Sequence, residues 1–245
     1  MTNLQGKLAL ITGGNSGIGY AAAKELIASG ARVIITGRRK DAVEKAAAEL
    51  GATGLVADQS DIAAIETLVA AVAEKFGKPD ILVVNAGISK LTSIEAATEE
   101  LYDQVMDLNL KGAYFTLSRF IPILRNGASV ILISSSSAST SKPCTSVYAA
   151  SKAAINAVMK IAAVELAPRQ IRINCVSPGP FATEIMEKAG IADPQMQELI
   201  VAGVPMGRLG APEEAGRLIS FLASDEASFI TGAEYLIDGG QSINK

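Results

Sequence analysis

Short runs of β-branched and aliphatic residues alternate along the chain with longer stretches of helical period. Leu8–Thr12, Arg32–Thr36, Ile81–Asn85, Ser129–Ser134 and Ile171–Val176 read as strands, with a weaker strand at Gly54–Ala57 and a late one at Glu234–Ile237. Between them, the spacing predicts helices over Gly17–Ser29, Lys40–Leu50, Ile62–Phe76, Glu99–Leu124, Val147–Leu166 and Pro212–Leu222. The run Ile81-Leu82-Val83-Val84 has no polar alternation, so both of its faces must be buried. That is the mark of a parallel sheet covered by helices on each side. Regular strand–helix alternation predicts βαβ units, and with them one α/β domain built on a doubly wound parallel sheet of about seven strands. No internal repeat and no Pro/Gly/Ser-rich linker divides the chain, and Ser134–Ser141, following a strong strand, reads as a strand-to-loop edge. The segment Phe181–Pro205 has no clean period and is expected to be a mobile lid.

Composition narrows the chemistry. Hydrophobic residues make up 49% of the 245 positions and charged residues 19%. The mean hydropathy of +0.31 raises the question of a membrane span. No uncharged apolar run reaches the ~18 residues a span needs, and Leu8–Ile11 is too short for a signal-peptide core. A cytoplasmic protein without a membrane partner is expected. The net charge is −3, and no basic block extends beyond Arg38-Arg39-Lys40, so no nucleic-acid partner is expected. The chain has no histidine, which excludes Ser-His-Asp hydrolysis, HExxH chemistry and every His-ligated metal site. Cys144 and Cys175 have no metal-ligand spacing, and no metal is expected. Any general acid or base is therefore a carboxylate, Lys, Tyr or Cys.

The first strand runs into Thr12-Gly13-Gly14-Asn15-Ser16-Gly17-Ile18-Gly19, and a helix follows. Glycines let a backbone approach a pyrophosphate closely, and the helix N-terminus presents free N–H groups to it. The TGxxxGxG spacing of Gly13, Gly17 and Gly19 resembles the short-chain dehydrogenase/reductase family, classical type, whose fold is a Rossmann domain. In dinucleotide folds an acid at the end of the second strand binds the adenosine ribose, whereas a basic residue there accommodates a 2′-phosphate. Here Gly37 stands where NAD-preferring members carry Asp, and Arg38 and Arg39 follow. NADP(H) is therefore favoured, with NAD(H) the alternative. Ser16 stands where many NADP users carry a second basic residue.

Tyr148 and Lys152 are spaced i, i+4, which places both on one helix face. An ammonium beside a phenol favours the phenolate, so Lys152 is expected to lower the Tyr148 pKa and fit it for acid/base work. Ser135 lies 13 residues upstream of Tyr148. The resemblance implies that Ser135 orients the substrate oxygen, and strand alternation selects it over Ser134 and Ser136. The resemblance also implies that Asn109 holds a water linking Lys152 to solvent, and that Asn85-Ala86-Gly87 shapes the cofactor site. It further implies that Asp58 binds the adenine amino group with Gln59 offering its backbone, and that Pro178-Gly179 with Phe181 and Thr183 contact the nicotinamide carboxamide. The motifs run in order from Gly6 to Gly240.

These residues imply hydride transfer between a nicotinamide cofactor and a small carbonyl or alcohol substrate. Ile88, Ser137, Cys144, Thr145, Phe181, Ile185 and Met186 are the expected lining, which suits a neutral, fairly hydrophobic ketone or secondary alcohol. The resemblance also implies a homotetramer with contacts through Glu99–Leu124 and Val147–Leu166. Two rival readings are a cofactor-binding sensor without turnover and a non-redox chemistry on the same scaffold.

Overall fold

The computed structural model describes residues 2–183 and 193–244. Among them seven strands are found: β1 (Leu8–Thr12), β2 (Arg32–Gly37), β3 (Thr53–Val56), β4 (Ile81–Val84), β5 (Ser129–Ile133), β6 (Arg172–Pro178) and β7 (Glu234–Ile237). They form one sheet in the order β3-β2-β1-β4-β5-β6-β7, with every pair parallel. The helices are α1 (Gly17–Ala28), α2 (Lys40–Leu50), α3 (Ile62–Lys75), α4 (Glu99–Met106), α5 (Ala113–Phe120), α6 (Ser146–Leu166), α7 (Pro194–Ala202) and α8 (Pro212–Ala223).

Alternation along each strand feeds two cores, one per face. Leu8 and Leu10 of β1 pack with Leu68 and Val72 of α3, Leu117 and Phe120 of α5, and Ile155 and Met159 of α6. Ala9 and Ile11 point the other way, towards Ala22, Ala23 and Leu26 of α1, Ala46 and Ala47 of α2, and Ile219 and Leu222 of α8. Each fully buried Leu, Ile or Phe stabilises the fold by ~1.5–3 kcal/mol. α1 and α8 touch closely enough that a Cβ at Gly216 would stand 2.9 Å from the Ala21 carbonyl.

The chain winds one way from β1 to β3, then crosses back to β4 on the other side of β1. In such a sheet the crevice at the carboxyl ends of the strands, where the order reverses, is the place for a ligand.

One expected element differs. The stretch Glu99–Leu124 is not one α-helix. It is α4, a π-helical turn over Asp107–Gly112, α5 and a 3₁₀ turn over Ile121–Ile123. Asn109 and Gly112 are weak helix formers, and the π turn brings the Asn109 side chain inward. Arg169 satisfies the carbonyls of Ile121 and Leu124 at 2.7 and 2.6 Å, closing the end of this stretch.

By length and composition one helix among the described residues, Ser146–Arg169, could cross a membrane, with a mean hydropathy of 1.3. Its inner face, with Ile155, Met159, Ala162 and Leu166, lies in the core. Of the expected lid, 184–192 lies outside the described residues, and α7 fills most of the rest.

Candidate active site

A cleft of about 1240 Å³ opens at the carboxyl ends of β1, β2, β4, β5 and β6. Its floor is the loop from β1 to α1. Gly13 has φ +64°, and a Cβ there would stand 2.9 Å from Ala86 Cα, so only glycine lets these two backbones meet. A Cβ at Gly19 would overlap the Gly13 carbonyl and lie 2.5 Å from Asn85 Nδ2. Gly19 thus lies behind the cleft wall, while Gly13, Asn15, Ser16, Gly17 and Ile18 line it. The Ser16 side chain makes no cap bond at the start of α1, and the first turn holds no acid. The N–H groups there are left for an anion.

The segment Asn85-Ala86-Gly87 is pinned to β1. Thr12 Oγ1 accepts the N–H of Asn85 at 3.0 Å and of Ala86 at 3.1 Å. Asn85 Nδ2 donates to the carbonyls of Thr12 and Gly13, each at 3.0 Å. Thr12 is a functional residue that sequence reasoning missed. Its signal was a hydroxyl ending an otherwise apolar strand.

At the adenosine end, Arg38 and Arg39 are exposed on the rim and make no ion pair among the described residues. A Cβ at Gly37 would stand 2.5 Å from Asn15 Oδ1 and 3.0 Å from Val43 Cγ2, so an acid there requires Asn15 to move. Asp58 lines the cleft, and its Oδ1 accepts from the Ser60 N–H at 2.9 Å and hydroxyl at 2.8 Å. Gln59 also lines the cleft, but its buried side chain donates to the carbonyls of Ala86 at 3.0 Å and Leu108 at 3.2 Å. The side chain of Gln59, and not its backbone alone, thus shapes this wall.

Ser135 follows β5, and its Oγ accepts the Ser137 N–H at 3.2 Å, starting a 3₁₀ turn over Ser136–Ala138. Ser135 and Tyr148 line the same cleft. Burial pushes Tyr148 above the usual phenol value of 10.0, and the Ser135 hydrogen bond only partly pulls it back. Lys152 is 5% exposed, donates to the Ile133 carbonyl at 2.8 Å, and has its Nζ 5.9 Å from the Tyr148 ring centre. Burial lowers its pKa to about 8. The expected lowering of Tyr148 by Lys152 is not seen in the protein alone: desolvation raises the phenol, and the opposing influence comes from Ser135.

Asn109 is 1% exposed and lies behind the cleft wall. Its Nδ2 donates to the Ile88 carbonyl at 2.8 Å and to Ser151 Oγ at 3.3 Å, and its Oδ1 accepts the Ile88 N–H at 2.9 Å. A Cβ at Gly87 would stand 3.1 Å from Asn109 Oδ1 and 3.4 Å from Lys152 Nζ, so both side chains come close to Gly87. Ser151 Oγ donates to the Tyr148 carbonyl at 2.7 Å, and Ser134 Oγ to the Lys152 carbonyl at 3.1 Å. These two serines were missed as supports, since hydroxyls inside helix and strand patterns carry no distinctive signal.

Pro178, Gly179, Phe181 and Thr183 line the far end of the cleft. A Cβ at Gly17 would lie 3.5 Å from Thr183, so this segment faces the phosphate loop. Phe181 is buried, and its ring covers Gly210. Of the expected substrate lining, Ile88 and Phe181 border the cleft, whereas Ser137, Cys144 and Thr145 lie beyond its wall. Ile185 and Met186 lie outside the described residues. No group of three or more His, Cys, Asp or Glu able to hold a metal occurs among the described residues.

The residues fit a dinucleotide. The glycine floor admits a close backbone approach, the α1 N-terminus suits a pyrophosphate, and the volume exceeds that of an ordinary small-molecule pocket.

A family model described as enoyl-(acyl carrier protein) reductase matches residues 13–242. The chain is 37% identical to the NADP-dependent (R)-specific alcohol dehydrogenase of Lentilactobacillus kefiri, covering 97% of each chain. It is 38% identical to the L-rhamnose 1-dehydrogenase (NAD(P)(+)) of Azotobacter vinelandii, again over 97% of each. The solved structure of the Pseudomonas aeruginosa RhlG/NADP active-site complex superposes with a TM-score of 0.93 at 34% identity, covering 98% of both chains. The chain belongs to the short-chain dehydrogenase/reductase family and is an NAD(P)-dependent oxidoreductase acting on alcohol and carbonyl groups.

Proposed function

We propose that the enzyme moves a hydride between NADP(H) and a neutral carbonyl or secondary alcohol, with Tyr148 as general acid and base. The observation that carries this reading is the gathering of Ser135, Tyr148 and Lys152 on one cleft, with Lys152 buried and its Nζ 5.9 Å from the Tyr148 ring centre. Bound nicotinamide supplies or accepts the hydride. In the reducing direction the protonated Tyr148 phenol gives its proton to the carbonyl oxygen, and the Ser135 hydroxyl donates a hydrogen bond that holds this oxygen in place. Lys152, an ammonium below about pH 8, holds the nicotinamide ribose and passes a proton back towards Tyr148, with Asn109 supporting the relay. In the oxidising direction the same groups run in reverse.

The preference for NADP(H) rests on the free guanidinium groups of Arg38 and Arg39 beside a β2 end that carries no acid. Two similar proteins named with NADP support it. Ile88 and Phe181 give the catalytic end an apolar border, which favours a neutral, fairly hydrophobic substrate. We further propose one Rossmann domain with residues 181–205 as its lid, a cytoplasmic location, and a homotetramer joined through the 99–124 and 147–166 regions.

The test follows absorbance of the reduced nicotinamide with NADPH and, separately, NADH, over a panel of aryl, aliphatic and β-keto carbonyls. Consumption of NADPH well above NADH is expected. Faster consumption of NADH would sink the role given to Arg38 and keep the chemistry. No consumption of either would overturn the reading.

A further inference from the structure

Gln59 holds together two parts of the site that come from distant stretches of chain. Its residue is 6% exposed, in the loop between β3 and α3. Nε2 spends both hydrogens on backbone carbonyls, one on Ala86 at 3.0 Å and one on Leu108 at 3.2 Å. Ala86 belongs to the segment pinned to β1 beside the phosphate loop. Leu108 precedes Asn109 inside the π turn. The backbone of Gln59 presses on the same turn, because a Cβ at Gly112 would overlap the Gln59 carbonyl. Both ends of the turn that carries Asn109 are thus set against one residue.

The other end of the amide is equally telling. Gln59 Oε1 is buried without a partner. Two carbonyls face Nε2, so the amide cannot be turned around to satisfy it. An unpaired buried acceptor costs stability, and an apolar side chain of the same length would avoid that cost. What only the amide supplies is its pair of donors. A π turn shifts the helical hydrogen-bond register and leaves carbonyl capacity to be filled from outside, and Gln59 fills it.

We infer that Gln59 is a positioning residue: its side-chain amide locks the Asn109 turn to the Asn85–Gly87 segment, and so holds Asn109 beside Lys152. The effect passes through a second tie, the pair of hydrogen bonds between Asn109 and the Ile88 backbone. Because Asp58 is its neighbour on the adenosine side of the cleft, Gln59 also joins the two ends of the cofactor site. The inference about turnover rests on the proposed role of Asn109 and Lys152, whereas the tie itself does not.

Two variants test it. Gln59→Met keeps the length and removes both donors. Gln59→Glu keeps the shape and offers a donor only when its carboxyl is protonated. Amide hydrogen exchange, measured on the protein without cofactor, is expected to quicken at Ile88 and across 107–113 in Gln59→Met. Its kcat is expected to fall on the order of tenfold or more, as misplaced catalytic groups do, with a smaller change in the NADPH dissociation constant. The activity of Gln59→Glu relative to Gln59→Met is expected to rise as the pH falls towards 5. A merely structural role would move the melting temperature and leave that pH-dependent ratio flat. Exchange and kcat at wild-type levels in Gln59→Met would overturn the inference, as would a flat ratio. If the wild-type enzyme turns over no substrate while exchange still quickens in Gln59→Met, the tie is supported and the proposed reaction is what fails. Should Gln59→Met not fold, the exchange of Gln59→Glu across the same pH range decides, slowing on acidification if the tie is real.

Discussion

Burial drives Tyr148 and Lys152 both towards their neutral forms, the phenol upwards and the ammonium down to about 8. For Lys152 the sign is clear. Its pKa is lower in the folded chain than the ordinary 10.5, so the unfolded chain binds more protons between these values and stability rises with pH there. In denaturant melts, wild type is expected to gain ~3 kcal/mol over Lys152→Met between about pH 8 and 10.5. A pH-independent difference would count against a charged, buried Lys152. The same titration predicts that kcat/KM for carbonyl reduction falls above about pH 8. Tyr148→Phe is expected to lower turnover by about three orders of magnitude and leave NADPH binding, read by fluorescence, nearly unchanged. Gly37→Asp places a carboxylate against Asn15 beside Arg38, and is expected to move the NADPH/NADH ratio of kcat/KM towards NADH by about tenfold or more. An unchanged ratio would show that the 2′-phosphate is not read at this strand end.

Among the elements, strands and most helices were legible from period alone. β4 is an uninterrupted apolar run and β1 is one up to Thr12, and the structure buries all of their residues. The Glu99–Leu124 stretch was not, because a π turn inserts one residue into a helix without disturbing its apolar stripe enough to show. Asn109 and Gly112 marked the place, but not the geometry. Gln59 illustrates a second limit: its position after a strand is visible in the sequence, while the two carbonyls it binds come from 27 and 49 residues away. The Tyr148 environment is a third, since the sequence shows the neighbouring Lys152 and hides the desolvation that opposes it. Close contact between α1 and α8 was equally hidden. Gly216→Val would force them apart against the Ala21 carbonyl and is expected to cost about 1–3 kcal/mol, read as a lower melting temperature. A neutral result would show that the two helices can separate freely.

At the scale of the whole molecule, several large apolar side chains stand outside the two cores. Tyr102 and Tyr114 flank the π turn, and Ile161 and Val164 stand 62% and 75% exposed on the outer side of α6. Phe229, Leu236 and Ile243 are exposed around β7. Exposed apolar residues on α6 are where the proposed association is tested. If the proposed tetramer joins through α6, wild type sediments as a tetramer and Ile161→Glu with Val164→Glu sediments as a smaller species in analytical ultracentrifugation. A variant that still sediments as the wild type would move the interface elsewhere.

The two thiols differ in a way that is useful at the bench. Cys175, in β6, is fully buried, and its pKa is pushed up to about 12. Cys144 is exposed, four residues before Tyr148 and just ahead of the helix that carries Tyr148 and Lys152. A maleimide dye added near neutral pH should therefore mark the native chain at one place, without any cysteine having to be removed. Energy transfer from bound NADPH to such a dye would report binding on the unmutated enzyme.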